Sequence, residues 1–104
     1  MKKKILIINA NYYKEISKSL LNSALSQIPK DNNIHIINVP GVFEIPVTIS
    51  KNQKKFDAFI ALGCVIKGQT PHFEFISQAS TNAIMNLSIN CNKPIGNGII
   101  TCLN

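Results

Sequence analysis

Apolar runs and helix-spaced patterns take turns along this chain, and that alternation restricts its fold more than any other feature. KILIIN (4–9) has no polar alternation, as expected of a strand covered on both faces. ISKSLLNSALSQI follows, with Ile16, Leu20, Leu21, Ala24, Leu25 and Ile28 at helical spacing until Pro29 and PKDNN stop it. IHIINV (34–39) predicts a second strand. PGVFEIP (40–46) predicts a turn that opens a short helix to about Gln53, which must start near Pro46 because proline is tolerated only in a first turn. FDAFIALGCVI (56–66) contains the third strand. The stretch 71–90 carries Phe73, Ile76, Ala83, Ile84 and Leu87 at helical spacing, and KPIGNGIITCLN (93–104) holds a fourth strand.

The order βαβαβαβ predicts an α/β fold: a four-stranded parallel sheet, right-handed crossovers and helices on both faces. Ligands of such sheets bind beyond the carboxyl ends of the strands. That rule singles out NANYYKE, VPGVFE, CVIKGQTPH and TCLN.

The 104 residues are read as one domain, 1–104, with a modest core. No apolar run approaches the ~18 residues of a membrane span. The apolar stretch after MKKK is shorter than the ~7–15 residues of a signal core, so it reads as a strand, and export is not expected. Cys64, Cys91 and Cys102 are odd in number and form no C-x-x-C pair, which argues against a disulfide framework and against a zinc site. Reduced thiols in a cytoplasmic protein follow. The net charge is +6, and every basic residue is lysine. Arginine is the preferred bidentate reader of phosphate and guanine, so its absence weighs against a nucleic-acid surface, and the clusters at 2–4 and 51–55 read as solvated lysines.

KGQTPH, the exit from the third strand, gives each residue type a reason. Gly68 permits a sharp turn and close approach to a ligand. Thr70 is a candidate N-cap, and Pro71 suits the first helical position. The free amides of such a loop make an anion site, to which Lys67 adds charge. His72 falls in the first turn, where the helix dipole disfavours imidazolium and lowers its pKa, so a neutral imidazole can shuttle protons. The plainer reading is a well-capped helix with an incidental histidine. No Walker or dinucleotide-binding glycine motif is present.

The other strand ends speak less clearly by themselves. Tyr12 and Tyr13 read first as partly buried packing groups and second as a stacking surface for a flat ligand. Glu44, beside Phe43, suits either hydroxyl binding or the start of a helix. His35 reads as a surface or packed residue, and Cys64 as a small buried filler. The two glycines of IGNGI (95–99) suggest close backbone approach by a ligand or partner.

Taken together, VPGVFEIP, ALGCVIKGQTPHFEF and KPIGNGIIT, with NANYYKEISKSLL before them, resemble the lumazine synthase family over nearly the whole chain and in the same order. The resemblance implies a flavodoxin-like three-layer α/β/α sandwich. It implies condensation of 5-amino-6-ribitylamino-uracil with 3,4-dihydroxy-2-butanone 4-phosphate to give 6,7-dimethyl-8-ribityllumazine, a step of riboflavin biosynthesis, with no metal and no cofactor. It implies that Tyr12 stacks on the pyrimidine and that Val42, Phe43 and Glu44 hold the ribityl chain. Val65 and Ile66 line the pyrimidine; Lys67, Gly68, Gln69 and Thr70 form the phosphate loop; His72 shuttles protons. Asn97 reaches the site of a neighbouring subunit in a pentamer-based homo-oligomer.

The sequence departs from the family pattern at particular places. Lys67 stands where arginine is usual, Tyr12 where phenylalanine is, and Asn97 where many members carry an aromatic ring. Family members continue past the fourth strand with two more helices and a phosphate-binding arginine that no residue here matches. The alternative that this raises is a non-catalytic lumazine- or flavin-binding or assembly module of the same fold.

Overall fold

A computed structural model describes residues 3–66 and 72–102, with residues 72–74, 77 and 102 described by their backbone only. The elements are β1 (Lys4–Ala10), α1 (Lys14–Gln27), β2 (Asn33–Val39), a 3₁₀ turn (Val42–Glu44), α2 (Ile45–Asn52), β3 (Ala58–Ile66), α3 (His72–Cys91) and β4 (Ile95–Cys102). All pairings are parallel, in the order β2-β1-β3-β4. This is the expected flavodoxin-like α/β fold. The order reverses direction between β1 and β3, and the carboxyl ends of strands at such a switch point are where ligands of open α/β sheets bind.

Strand periodicity sorts the side chains. Leu6, Ile8 and Ala10 of β1 share a face with Phe59, Ala61 and Val65 of β3. Together with Val39, Val42, Ile45, Ile49, Phe56 and Ile84 they form one buried cluster. Ile7 and Asn9 point to the opposite face, where α1 packs on β1 and β3. The apolar residues of α1 are only half-buried, and its one buried side chain is Ser17. Cys64 is buried, as its small-filler reading requires, and His35 is exposed with its ring 5.3 Å from that of Phe56.

Local chemistry explains the boundaries. Pro46 is the second residue of α2, where its missing N–H costs nothing. α3 ends at Cys91 because Asn92 takes a left-handed conformation, φ 55°, which asparagine tolerates better than most residues, and Pro94 follows. The amino ends of the strands are laced together. The Lys4 N–H donates to Asp57 Oδ2 at 2.8 Å, while the Asp57 N–H donates to the Lys4 carbonyl at 2.7 Å. The Lys93 ammonium donates to the carbonyls of Gln53 and Phe56, tying the entrance of β4 to the end of α2.

Two glycines make room for neighbours within the fold. A Cβ on Gly63 would lie 2.7 Å from Val42 Cγ2 and 3.1 Å from Ala10 Cβ, so the absent side chain lets the 3₁₀ turn settle onto β1 and β3. A Cβ on Gly98 would lie 2.8 Å from Leu62 Cδ2. That space belongs to a neighbouring strand, which corrects the expectation that a ligand or partner fills it. Gly96 has only ordinary contacts, the nearest at 3.8 Å.

Gly63→Ala therefore crowds a stiff valine and should cost about 1–3 kcal/mol, read as a lower urea midpoint. Gly96→Ala, with room to spare, should leave the midpoint unchanged or raise it slightly. Lys93→Met strands two carbonyls and should cost about 1–2 kcal/mol after allowance for the partial exposure of the ammonium, seen in the same titration.

Candidate functional site

The carboxyl ends of β1 and β2 each release a short connection that carries candidate residues, and the last two residues of β3 are candidates as well. After β1 the chain passes through Asn11, Tyr12 and Tyr13 into α1. The Asn11 N–H donates to the Val39 carbonyl at 3.0 Å, so this loop is tied to the end of β2. Tyr12 is 73% exposed, which overturns its reading as a packing group; Tyr13 is the half-buried one. The Tyr13 ring meets Tyr12 edge-on, with centroids 4.9 Å apart and planes at 81°. An aromatic ring held at a strand end and left in solvent offers a flat surface to a flat ligand.

After β2, Pro40 and Gly41 lead into the 3₁₀ turn, closed by the Glu44 N–H donating to the Gly41 carbonyl at 3.2 Å. Val42 is buried against β1 and β3 and anchors the turn, whereas Phe43 is 55% exposed. Glu44 is half-buried, and its Oε1 lies 3.2 Å from where a Cβ on Gly41 would stand, so the carboxylate folds back over the glycine. The Thr48 hydroxyl donates to the Glu44 carbonyl at 2.9 Å and holds the turn to α2. The result is an exposed ring beside a carboxylate, with one apolar anchor between β1 and β3.

At the end of β3, Val65 and Ile66 point to opposite faces. Val65, 9% exposed, belongs to the core cluster; Ile66 is half-buried on the α1 side. Lys67, Gly68, Gln69 and Thr70, with the expected Thr70 cap and Pro71, lie outside the described residues. α3 begins at His72, whose backbone is thereby placed at the same end of the sheet; its side chain is also outside the described set.

Asn97 does not join this group. It pairs with Ala61 in the first half of β4, four residues before the partner of Val65, or about 13 Å below the strand ends at the usual strand rise. It is exposed on the edge strand, and its Oδ1 accepts the Ile99 N–H at 3.0 Å.

The sequence reading passed over two polar residues near the site. Asn9, 3% exposed, donates from Nδ2 to Asn38 Oδ1 at 3.3 Å, and its own Oδ1 has no partner among the described residues. Ser17 packs its hydroxyl under the β1–α1 loop. An asparagine that closes an otherwise apolar strand and a serine inside a helical apolar stripe are the signals that would have found them. Among the described residues no three His, Cys, Asp or Glu side chains converge as a metal site, and no helix is long and apolar enough to cross a membrane.

Comparison with known proteins gives a consistent result. The family model described as 6,7-dimethyl-8-ribityllumazine synthase matches residues 2–104. The chain is 41% identical to the 6,7-dimethyl-8-ribityllumazine synthase of Arthrobacter sp. (strain FB24) over 102 residues, which cover 95% of this chain and 63% of that protein. It is 42% identical to that of Bartonella tribocorum over 110 residues, covering 100% and 73% of the two, and 44% identical to that of Bartonella henselae over 105 residues, covering 96% and 68%. The match thus spans roughly two thirds of these relatives' length. On its sequence over residues 2–104, the chain belongs to the 6,7-dimethyl-8-ribityllumazine synthase family.

Proposed function

We propose that this chain performs the reaction its family is named for, condensing 5-amino-6-ribitylamino-uracil with 3,4-dihydroxy-2-butanone 4-phosphate to 6,7-dimethyl-8-ribityllumazine with release of phosphate and water. The observation that carries this reading is the family match along residues 2–104, with the aromatic ring, the carboxylate and the head of α3 all at one end of the sheet.

The steps ask for positioning and proton transfer. Tyr12 stacks on the pyrimidine, with the backbone of Val65 and the side chain of Ile66 along the ring. Val42 anchors a turn from which Phe43 packs on the ribityl chain and Glu44 accepts from its hydroxyls. Lys67, Gly68, Gln69 and Thr70 receive the phosphate, Lys67 as a point charge rather than a planar fork. The amine attacks the ketone, water leaves to form the imine, phosphate departs, and the ring closes with loss of a second water. His72 carries protons between these steps. Bringing two substrates together in one orientation supplies much of the rate.

The same reading makes the protein cytoplasmic and assembles it as a pentamer-based homo-oligomer, in which Asn97 serves a neighbouring subunit's site. Its position far from its own chain's strand ends supports that division of labour. Phe43, Val47, Phe75, Met85 and Ile89 are exposed on the 3₁₀ turn, α2 and α3, elements in mutual contact, and such apolar surface favours association.

The test is lumazine formation from the two substrates above the uncatalysed rate. Turnover by the unmutated chain is expected; its absence, with lumazine still bound, would leave a binding module in place of an enzyme. His72→Ala should lower kcat about 10–100-fold with little change in pyrimidine affinity. Tyr12→Ala should raise the dissociation constant for lumazine about tenfold, measured by ligand fluorescence.

A further inference from the structure

Ser17 is the one side chain of α1 that the fold buries, at 4% exposure, and it is polar. Its Oγ lies 2.7 Å from the Ala10 carbonyl oxygen and 2.8 Å from the Tyr13 carbonyl oxygen. A hydroxyl has one proton to donate. The Tyr13 carbonyl already accepts the Ser17 backbone N–H at 2.9 Å. The proton therefore does most for Ala10, the last residue of β1, at the shorter and more deeply buried contact. That bond closes a ring over Asn11, Tyr12 and Tyr13. The N-cap residue Tyr13 makes no side-chain capping bond, so this hydroxyl and the Asn11–Val39 bond restrain the loop together with the packing of Tyr13 against Tyr12.

We propose that Ser17 is a positioning residue for the site: by pinning the first turn of α1 to the last carbonyl of β1, its hydroxyl sets the attitude of the Tyr12 ring and with it the affinity for a flat pyrimidine. The ligand rests on the function proposed above, whereas the restraint on Tyr12 does not. The alternative is that Ser17 only fills space beneath the helix.

The chain has two tyrosines and no tryptophan, so its intrinsic fluorescence reports Tyr12 and Tyr13. Four variants of the full chain separate the readings: Ser17→Ala, Ser17→Thr, Tyr12→Ala and the double variant Ser17→Ala/Tyr12→Ala. Each is titrated with 6,7-dimethyl-8-ribityllumazine and scored, unliganded, for tyrosine fluorescence anisotropy. Ser17→Ala is expected to raise the lumazine dissociation constant about 3–10-fold and to lower the anisotropy. Ser17→Thr, which keeps the hydroxyl, should return both towards the unmutated values. In the Tyr12→Ala background, Ser17→Ala should weaken binding no further, since the two act as one unit. Equal loss of affinity in both backgrounds, or an unaltered anisotropy in Ser17→Ala, overturns the proposal. If the unmutated chain does not bind lumazine, the functional reading falls, and the anisotropy decides the role of Ser17 by itself. Should Ser17→Ala not fold, Ser17→Cys, of similar shape with a weaker donor, takes its place, with smaller shifts expected in the same direction and no shift counting against the proposal.

Discussion

The contact between Val42 and the bare backbone of Gly63 holds together much of what matters in this protein. With no side chain at Gly63, the 3₁₀ turn can drop into the gap beside Ala10, and Val42 becomes buried between the two central strands. Burying Val42 aims the start of α2 so that Ile45 and Ile49 enter the core. It also decides the direction of the next two residues: with the valine held inside, Phe43 turns outwards and the Glu44 carboxylate folds over Gly41. One missing methyl group thus couples the packing of the sheet to the chemistry at its end.

The two ends of the sheet are built differently. At the amino ends, Lys4, Asp57 and Lys93 satisfy backbone groups through paired and charge-assisted hydrogen bonds. At the carboxyl ends, short connections diverge around the switch point and present an exposed tyrosine, an exposed phenylalanine and a carboxylate. A closed end supplies rigidity; an open end leaves groups whose hydrogen bonds and stacking surfaces a ligand can complete. The half-buried α1 meets this end of the sheet through the buried Ser17 hydroxyl, which donates to the last carbonyl of β1, as well as through apolar packing.

Much of this was legible in the chain itself. KILIIN and FDAFIALGCVI announced strands because a strand covered on both faces has no position at which to put water-loving residues. Pro46 announced the start of α2 because its ring is tolerated only within the first turn of a helix. PGVFEIP marked the turn after β2 because its residue types suit a turn and a helix start rather than core. Other residues misled. Taken alone, Tyr12 read first as packing and only second as a stacking surface, since a tyrosine's large apolar body is usually half-buried, yet this one stands in solvent. The glycines of IGNGI read as room for a ligand, and Gly98 turned out to accommodate Leu62.

Local rules determined the element order and, with it, the parallel sheet, because periodicity, proline and helix boundaries act over a few neighbouring residues. Only the tertiary structure decided which side chains share a face and which spaces are already taken. Val65 and Ile66 are adjacent in sequence and part company across the sheet; Asn97 lies near the end of the chain and well below the strand ends; Ser17 is an ordinary helix serine until the last carbonyl of β1 is placed above it. Those outcomes depend on strand register and on contacts between residues far apart in the chain, and neither is written in any short stretch of sequence.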